Sequence, residues 1–113
     1  MNGFPTVYWG WGNEDDDMSE RILLAGYVLS RPSKYVARYK MIKHERDSGN
    51  TENPCRLKVL KEAKKRWKLD GLNSLKYKLV NTTEEVIYTK FIVDPLKEES
   101  EKLMKTLNVV TEC

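Results

Sequence analysis

The stretch from Tyr8 to Asp17, YWGWGNEDDD, sets two tryptophans among glycines and follows them with four consecutive acids. Aromatic faces bind the apolar C–H faces of sugar rings, and carboxylates accept hydrogen bonds from sugar hydroxyls. Glycines beside an indole let the backbone approach a ligand closely and let the ring swing. A carboxylate in that setting can also take a proton from an attacking hydroxyl. A core does not ordinarily tolerate Glu14-Asp15-Asp16-Asp17, and a surface does not ordinarily need exposed tryptophan. A sugar site uses both. The competing account is a solvated charge array at a helix N-terminus, which suits acids on general electrostatic grounds. Asp15, Asp16 and Asp17 as a hard-metal triplet is disfavoured, because three successive side chains at a helix start point in different directions.

Other chemistry-bearing groups are weaker on spacing alone. Met41 precedes His44, the only histidine, by three residues. A thioether is a soft donor and an odd choice for a hard divalent ion, so this spacing does not by itself indicate a metal. Arg56, Lys58, Lys61, Lys64, Lys65, Arg66 and Lys68 make a basic run that could follow nucleic-acid phosphates. No stacking aromatics interleave with it, and Leu57, Leu60 and Trp67 give it an amphipathic pattern, so no nucleic-acid partner is expected. Cys55 and Cys113 match no zinc or redox spacing and are expected to be two free thiols or a fortuitous pair. Asn81-Thr82-Thr83 fits the N-glycosylation pattern, a weak signal at that length.

The elements that must position these groups fit within one small domain. The chain has 113 residues, 40% of them apolar, a third charged and a formal charge of +3, which is globular composition with no strong polyanion bias. No apolar run is long enough to cross a membrane, and the N-terminus is not a signal peptide. Residues 1–14 form a presenting loop. Asp16 or Asp17 caps a helix through DMSERILLAG with an apolar stripe of Ile22, Leu23 and Leu24, ended by Gly26. YVLSRP predicts a short strand stopped by Pro32, and YVARYKMIKH a second extended piece. ERDSGNTENP is a mobile loop. Asn53 and Pro54 open a helix to about Lys68, with Leu57, Leu60 and Trp67 along one side and Asp70-Gly71 closing it. LKYKLV and EVIYTKFIV, joined by an NTTE turn, predict a β-hairpin, and a charged amphipathic helix of low functional content follows Pro95. There is no phosphate loop and no complete sheet, so the pattern is that of part of a larger α/β domain.

NGFPTVYWGWGNEDDD, RPSKYVARYKMIKHERD, NP-C-R, DGLNSLKYKLV and YTKFIVD together resemble the C-terminal part of the β-1,4-galactosyltransferases. The resemblance runs from Asn2 to about Asp94, which defines residues 1–94 as the C-terminal part of a catalytic domain and 95–113 as a helical tail. It implies a GT-A type α/β glycosyltransferase, normally Golgi-resident, that moves galactose from UDP-galactose to the 4-hydroxyl of a terminal N-acetylglucosamine, with inversion and with Mn²⁺. A UDP-N-acetylgalactosamine-using variant is equally compatible, and a non-catalytic carbohydrate-binding remnant is the reading from another class.

By position, the resemblance makes Asp15 the general base, with Glu14 and Asp16 holding acceptor and donor hydroxyls beside it. Tyr8 stacks on the acceptor, Asn13 lies beside it, and Trp11 swings to cover the donor. Met41 and His44 take the positions of two Mn²⁺ ligands, although their spacing alone does not indicate a metal, and His44 also faces the donor. Residues 42–62 correspond to a closing lid with a hinge-like Ser48-Gly49-Asn50, and Arg56, Leu57 and Leu60 complete the acceptor pocket. Asn13 replaces a family glycine, Leu57 stands where an aromatic is common, and neither cysteine matches a family disulfide. The family's anchor, stem, uridine-binding strands and remaining aspartate ligand have no counterpart in these residues. The chain is therefore expected to be a partial product with Met1 an internal methionine, the membrane anchor belonging only to the full-length protein.

Overall fold

A computed structural model describes residues 1–106. Six elements follow in order: α1 (Glu14–Leu24), α2 (Arg56–Lys61), α3 (Ala63–Arg66), β1 (Lys78–Glu84), β2 (Thr89–Asp94) and α4 (Lys97–Thr106). Helices and one two-stranded antiparallel sheet thus make up the described fold, which is compatible with part of a glycosyltransferase domain.

Helix α1 begins earlier than the sequence suggests. Asn13 is its N-cap in a left-handed conformation (φ 70°), and all four acids lie in the first turn, against the positive end of the helix dipole. Asn is among the few non-glycine residues that adopt this conformation readily. The helix ends as expected: Gly26 has φ 81°, its N–H donates to Leu23 O (3.0 Å), and Tyr27 N–H donates to Ile22 O (3.1 Å), a paired cap of the last carbonyls. The expected stripe of Ile22, Leu23 and Leu24 is not what α1 buries. Asp17 and Arg21 are.

Those two residues belong to a closed ring of four charges. Arg21 Nε meets Asp17 Oδ1 at 2.6 Å and its NH2 meets Asp70 Oδ1 at 2.6 Å. Arg66 NH1 reaches Asp70 Oδ2 at 2.7 Å, and Arg66 NH2 closes the ring on Asp17 Oδ2. All four side chains are 0–1% exposed, and two arginines against two aspartates leave no net charge. Spare donors are taken up by carbonyls: Arg21 NH1 donates to Asp70 O (2.7 Å), and Arg66 NH2 to Val59 O (3.0 Å). Buried ions with every donor satisfied are the arrangement in which mutual attraction offsets desolvation.

The ring explains the second helical region. The single helix expected over 53–68 is broken at Glu62 into α2 and α3. Its buried face is Val59, Ala63 and Arg66, at spacings of four and three, because Arg66 must point inward to reach both aspartates. Leu57 is left exposed and Leu60 and Trp67 half-buried, in place of the expected stripe. Asn53 does act near the start, its Oδ1 accepting from Cys55 N–H at 2.8 Å. Cys55 is disulfide-bonded, which of the two expectations, free thiols or a pair, leaves the pair for it; Cys113 lies outside the described residues.

The apolar core is small: Val7, Cys55, Val59 and Met104, with Tyr8 and Leu103 packed against it. Helix α4 therefore does more than decorate, since it supplies Met104, and Ser100 Oγ donates to Thr6 O at 3.2 Å. The predicted strand at 27–32 does not form, and the extended piece predicted at 35–44 joins no sheet among the described residues. These residues carry no strand pairing and are almost entirely exposed, because a strand needs a partner and none is offered among the described residues. The hairpin does form, but NTTE lies inside β1, and the turn falls at residues 85–88, where Glu85 N–H donates to Tyr88 O at 2.9 Å.

Candidate functional site

Two loops meet at Trp11. Its N–H donates to Thr51 O (2.8 Å) and its carbonyl accepts from Asn53 N–H (3.0 Å), a short parallel pairing that fastens residues 51–53 to the Gly-Trp-Gly turn. Gly10 and Gly12 make this possible. A Cβ on Gly10 would sit 2.7 Å from Thr51 O at φ 93°, and one on Gly12 would meet the Arg56 side chain at 2.5 Å. Gly10→Ala is expected to destabilise the chain by about 1–3 kcal/mol through strain and clash, read as an earlier denaturation midpoint with altered Trp fluorescence.

The half-exposed indole of Trp11 lies under two guanidinium groups, Arg46 at 4.6 Å and Arg56 at 5.8 Å from the ring centre. One carboxylate, Glu52, pairs with both: Arg46 at 2.9 Å, and Arg56. The expected lid region is thus held to the tryptophan by the two backbone hydrogen bonds and the cation–π contacts, while Glu52 ties the two arginines together. Each contact is partly solvated and individually weak.

The acids divide by burial. Glu14, Asp15 and Asp16 are exposed on the first turn of α1, while Asp17 points into the charge ring. Asp15 Oδ1 accepts from Asp16 N–H (2.9 Å), and Asp16 Oδ2 accepts from Asn13 Nδ2 (2.8 Å), so local hydrogen bonds orient both carboxylates. Tyr8 is half-buried. Its hydroxyl donates to Asp17 Oδ2 (2.9 Å) and accepts from Arg66 NH2 (3.2 Å), and its ring lies 5.4 Å from the Arg66 guanidinium. Burial first, and the Asp17 carboxylate second, hold its phenol above the ordinary tyrosine range. In the unfolded chain Tyr8 ionises at about pH 10, whereas in the folded chain it stays protonated beyond that. The stability so conferred is complete below about pH 10 and is lost as pH rises through and above it. Urea unfolding from about pH 9 to 11 is expected to show this loss in the parent and its reduction in Tyr8→Phe.

Met41 and His44 are both exposed, Met41 to 83%. His44 Nδ1 lies 2.9 Å from Glu45 O, which fixes Nδ1 as the donor and leaves Nε2 as the free nitrogen. Among the described residues no group of three His, Cys, Asp or Glu side chains is placed to hold a metal ion. A thioether and one imidazole nitrogen on an exposed segment do not make a metal site by themselves. Among the described residues no hydrogen bond joins either residue to Trp11 or to the α1 acids. Of the remaining predicted site residues, Arg56 is brought to Trp11, whereas Leu57 projects to solvent and Leu60 is half-buried on α2.

Sequence reasoning missed Asp17, Arg21, Arg66 and Asp70 as a unit, although two of the four pairs are at i,i+4 helical spacing. It also passed over Trp9, whose ring borders cavities of about 430 and 200 Å³ beneath α4, and whose buried indole N–H meets no acceptor among the described residues. Neither cavity is walled by Trp11, the α1 acids, Met41 or His44.

A sequence of this kind has known relatives. The family model described as the N-terminal domain of galactosyltransferase matches residues 1–45. Beta-1,4-galactosyltransferase 3 of Bos taurus is 49% identical over 94 residues, which cover 83% of this chain and 24% of the relative. The Homo sapiens protein of that name gives the same figures, and beta-1,4-galactosyltransferase 2 of Cricetulus griseus is 45% identical over 94 residues, 83% of this chain and 26% of the relative.

Over 83% of its length this chain is similar to the β-1,4-galactosyltransferases. It spans about a quarter of the length of the curated relatives it matches. The matching family model is that of an N-terminal domain, whereas the sequence pattern points to the C-terminal part of the catalytic domain. Among the described residues no helix is long and apolar enough to cross a membrane.

Proposed function

We propose that this chain carries the acceptor-side and catalytic-base portion, at the C-terminal end, of a GT-A type β-1,4-galactosyltransferase domain. The reaction is transfer of galactose from UDP-galactose to the 4-hydroxyl of a terminal N-acetylglucosamine with inversion. The observation that carries the reading is the division of the acid run: Asp17 is locked inside, while Glu14, Asp15 and Asp16 face outward just beyond the tethered Trp11 turn. Trp11 offers an indole face to the donor sugar, Arg56 stands beside it, and Asp15 accepts the proton from the attacking hydroxyl. Glu14 and Asp16 hold neighbouring hydroxyls. Tyr8, with its hydroxyl engaged inward, presents ring surface to the acceptor, and the family resemblance assigns Leu57 and Leu60 to the acceptor side.

Mn²⁺ enters as an expectation of the family. Met41 and His44 would contribute two donors, and the set is completed only by groups from elsewhere in a whole domain. Golgi residence belongs to the same whole protein.

The test replaces the matched stretch of bovine β-1,4-galactosyltransferase 3 with this chain. With labelled UDP-galactose, Mn²⁺ and an N-acetylglucosamine acceptor, the graft is expected to transfer galactose and the isolated chain is not. An inactive but folded graft that still binds N-acetylglucosamine would favour the second reading, a carbohydrate-binding remnant; the lack of a metal-capable cluster among the described residues is the observation on its side. Preference for UDP-N-acetylgalactosamine in the same assay would reassign the donor.

A further inference from the structure

Asn81 is the only asparagine of the chain with serine or threonine two positions on, and the residue between, Thr82, is not proline. As a pattern of three residues this is a weak signal; its setting in the fold is what gives it weight. Asn81 and Thr83 both lie in β1, where every residue is exposed. Side chains two positions apart on a strand share a face. The Asn81 amide and the Thr83 hydroxyl therefore project together, opposite Ile92 and Lys90 of β2. Among the described residues neither side chain is taken up in a hydrogen bond, and no helix packs on the hairpin.

This pair is what N-glycosylation requires, a carboxamide with a hydroxyl two residues on, at the protein surface. The acceptor stretch must also come away from its neighbours to enter the groove of a transferring enzyme. A two-stranded hairpin is marginal in water, so it opens locally at little cost. The disulfide at Cys55 is a separate observation. Such bonds form and persist in oxidising surroundings, among them the lumen where this modification takes place.

We propose that Asn81 is an N-glycan acceptor. Its Nδ2 attacks C1 of an oligosaccharide carried on a lipid diphosphate. The N–C1 bond forms as the C1–O bond breaks, the amide proton passes to a base of the transferring enzyme, and the lipid diphosphate leaves with the bonding electrons. The folded hairpin accommodates the product, because Asn81 is exposed on a face shared with Thr83, Lys90 and Ile92, none of them covered. The site shares with the galactosyltransferase reading only its compartment; none of the residues given a role in transfer takes part.

The test translates the full chain behind a cleavable secretory leader in the presence of endoplasmic-reticulum microsomes. One discrete loss of gel mobility is expected, reversed by peptide-N-glycosidase, with aspartate found by mass spectrometry where Asn81 stood. Asn81→Gln and Thr83→Val should each abolish the shift, whereas Thr83→Ser and Thr82→Val should keep it. The urea midpoint of the glycosylated chain should be no lower than that of Asn81→Gln prepared in the same way. An unshifted parent, a shift that survives Asn81→Gln, or a midpoint lowered by the glycan would each overturn the proposal. The graft described above, made in mammalian cells, separates this site from the catalytic reading. Asn81 occupied in a graft that moves no galactose upholds the site and counts against that reading. Transfer by a graft with Asn81 bare does the reverse.

Discussion

Arg66→Met is expected to cost this chain about 3–5 kcal/mol, enough to leave much of it unfolded at room temperature. The guanidinium reaches Asp17 and Asp70 at once and donates to Val59 O and the Tyr8 hydroxyl. Methionine fills most of the volume but leaves two buried carboxylates facing Arg21 alone, an uncompensated charge with no water to solvate it. Urea denaturation followed by circular dichroism reads the loss directly. The double variant Arg66→Met with Asp17→Leu restores charge balance and should recover part of it, since removing a whole buried pair is far milder than removing half. Single-variant losses under about 1 kcal/mol would show that the ring is not what holds α1 to α3.

Asp15→Asn is expected to do the opposite. In the grafted enzyme it should lower galactose transfer by about 10²–10⁴-fold while moving stability by no more than about 0.5 kcal/mol. Asp15 is exposed, and its carboxylate accepts from the Asp16 N–H, a bond that the amide oxygen of asparagine also accepts. The variant therefore keeps shape and loses only the ability to take a proton. A steady-state assay with a saturating acceptor distinguishes this from weakened binding, because loss of a base appears in kcat. Normal turnover by the asparagine variant would remove Asp15 from the chemistry. Two acids two positions apart thus carry opposite expectations: Asp17 governs whether the chain folds, Asp15 whether it reacts.

That contrast also marks how far the residues could be read in advance. The run of acids was visible as a helix start, but its partition was not, because burial is decided by arginines 4 and 49 residues away. Local punctuation was legible. Gly26 stops α1, Asn53 accepts a bond at the next helical region, and a hairpin occupies the stretch with alternating apolar residues. Elements that need a remote partner were not legible. The 27–44 stretch has strand-forming composition, yet a strand exists only when another lies beside it. The hairpin turn moved from NTTE to residues 85–88 because register followed the Leu79–Val93 and Thr82–Phe91 pairings rather than the polarity of the loop. The face of α2 and α3 was misjudged for a related reason: counting apolar positions favoured Leu57 and Trp67, whereas an inward arginine set the rotation. Met41 and His44 gain meaning only from the family, since nothing in their spacing or surroundings draws them together.

The charge ring has one more consequence, for temperature. Water restructures around exposed hydrocarbon with a large gain in heat capacity, and around exposed polar groups with a smaller, opposite change. An interior whose largest fully hidden side chains are arginine and aspartate adds more of the second kind than a hydrocarbon interior would. The curve of folding free energy against temperature is consequently expected to be flatter than one set by a hydrocarbon-rich centre.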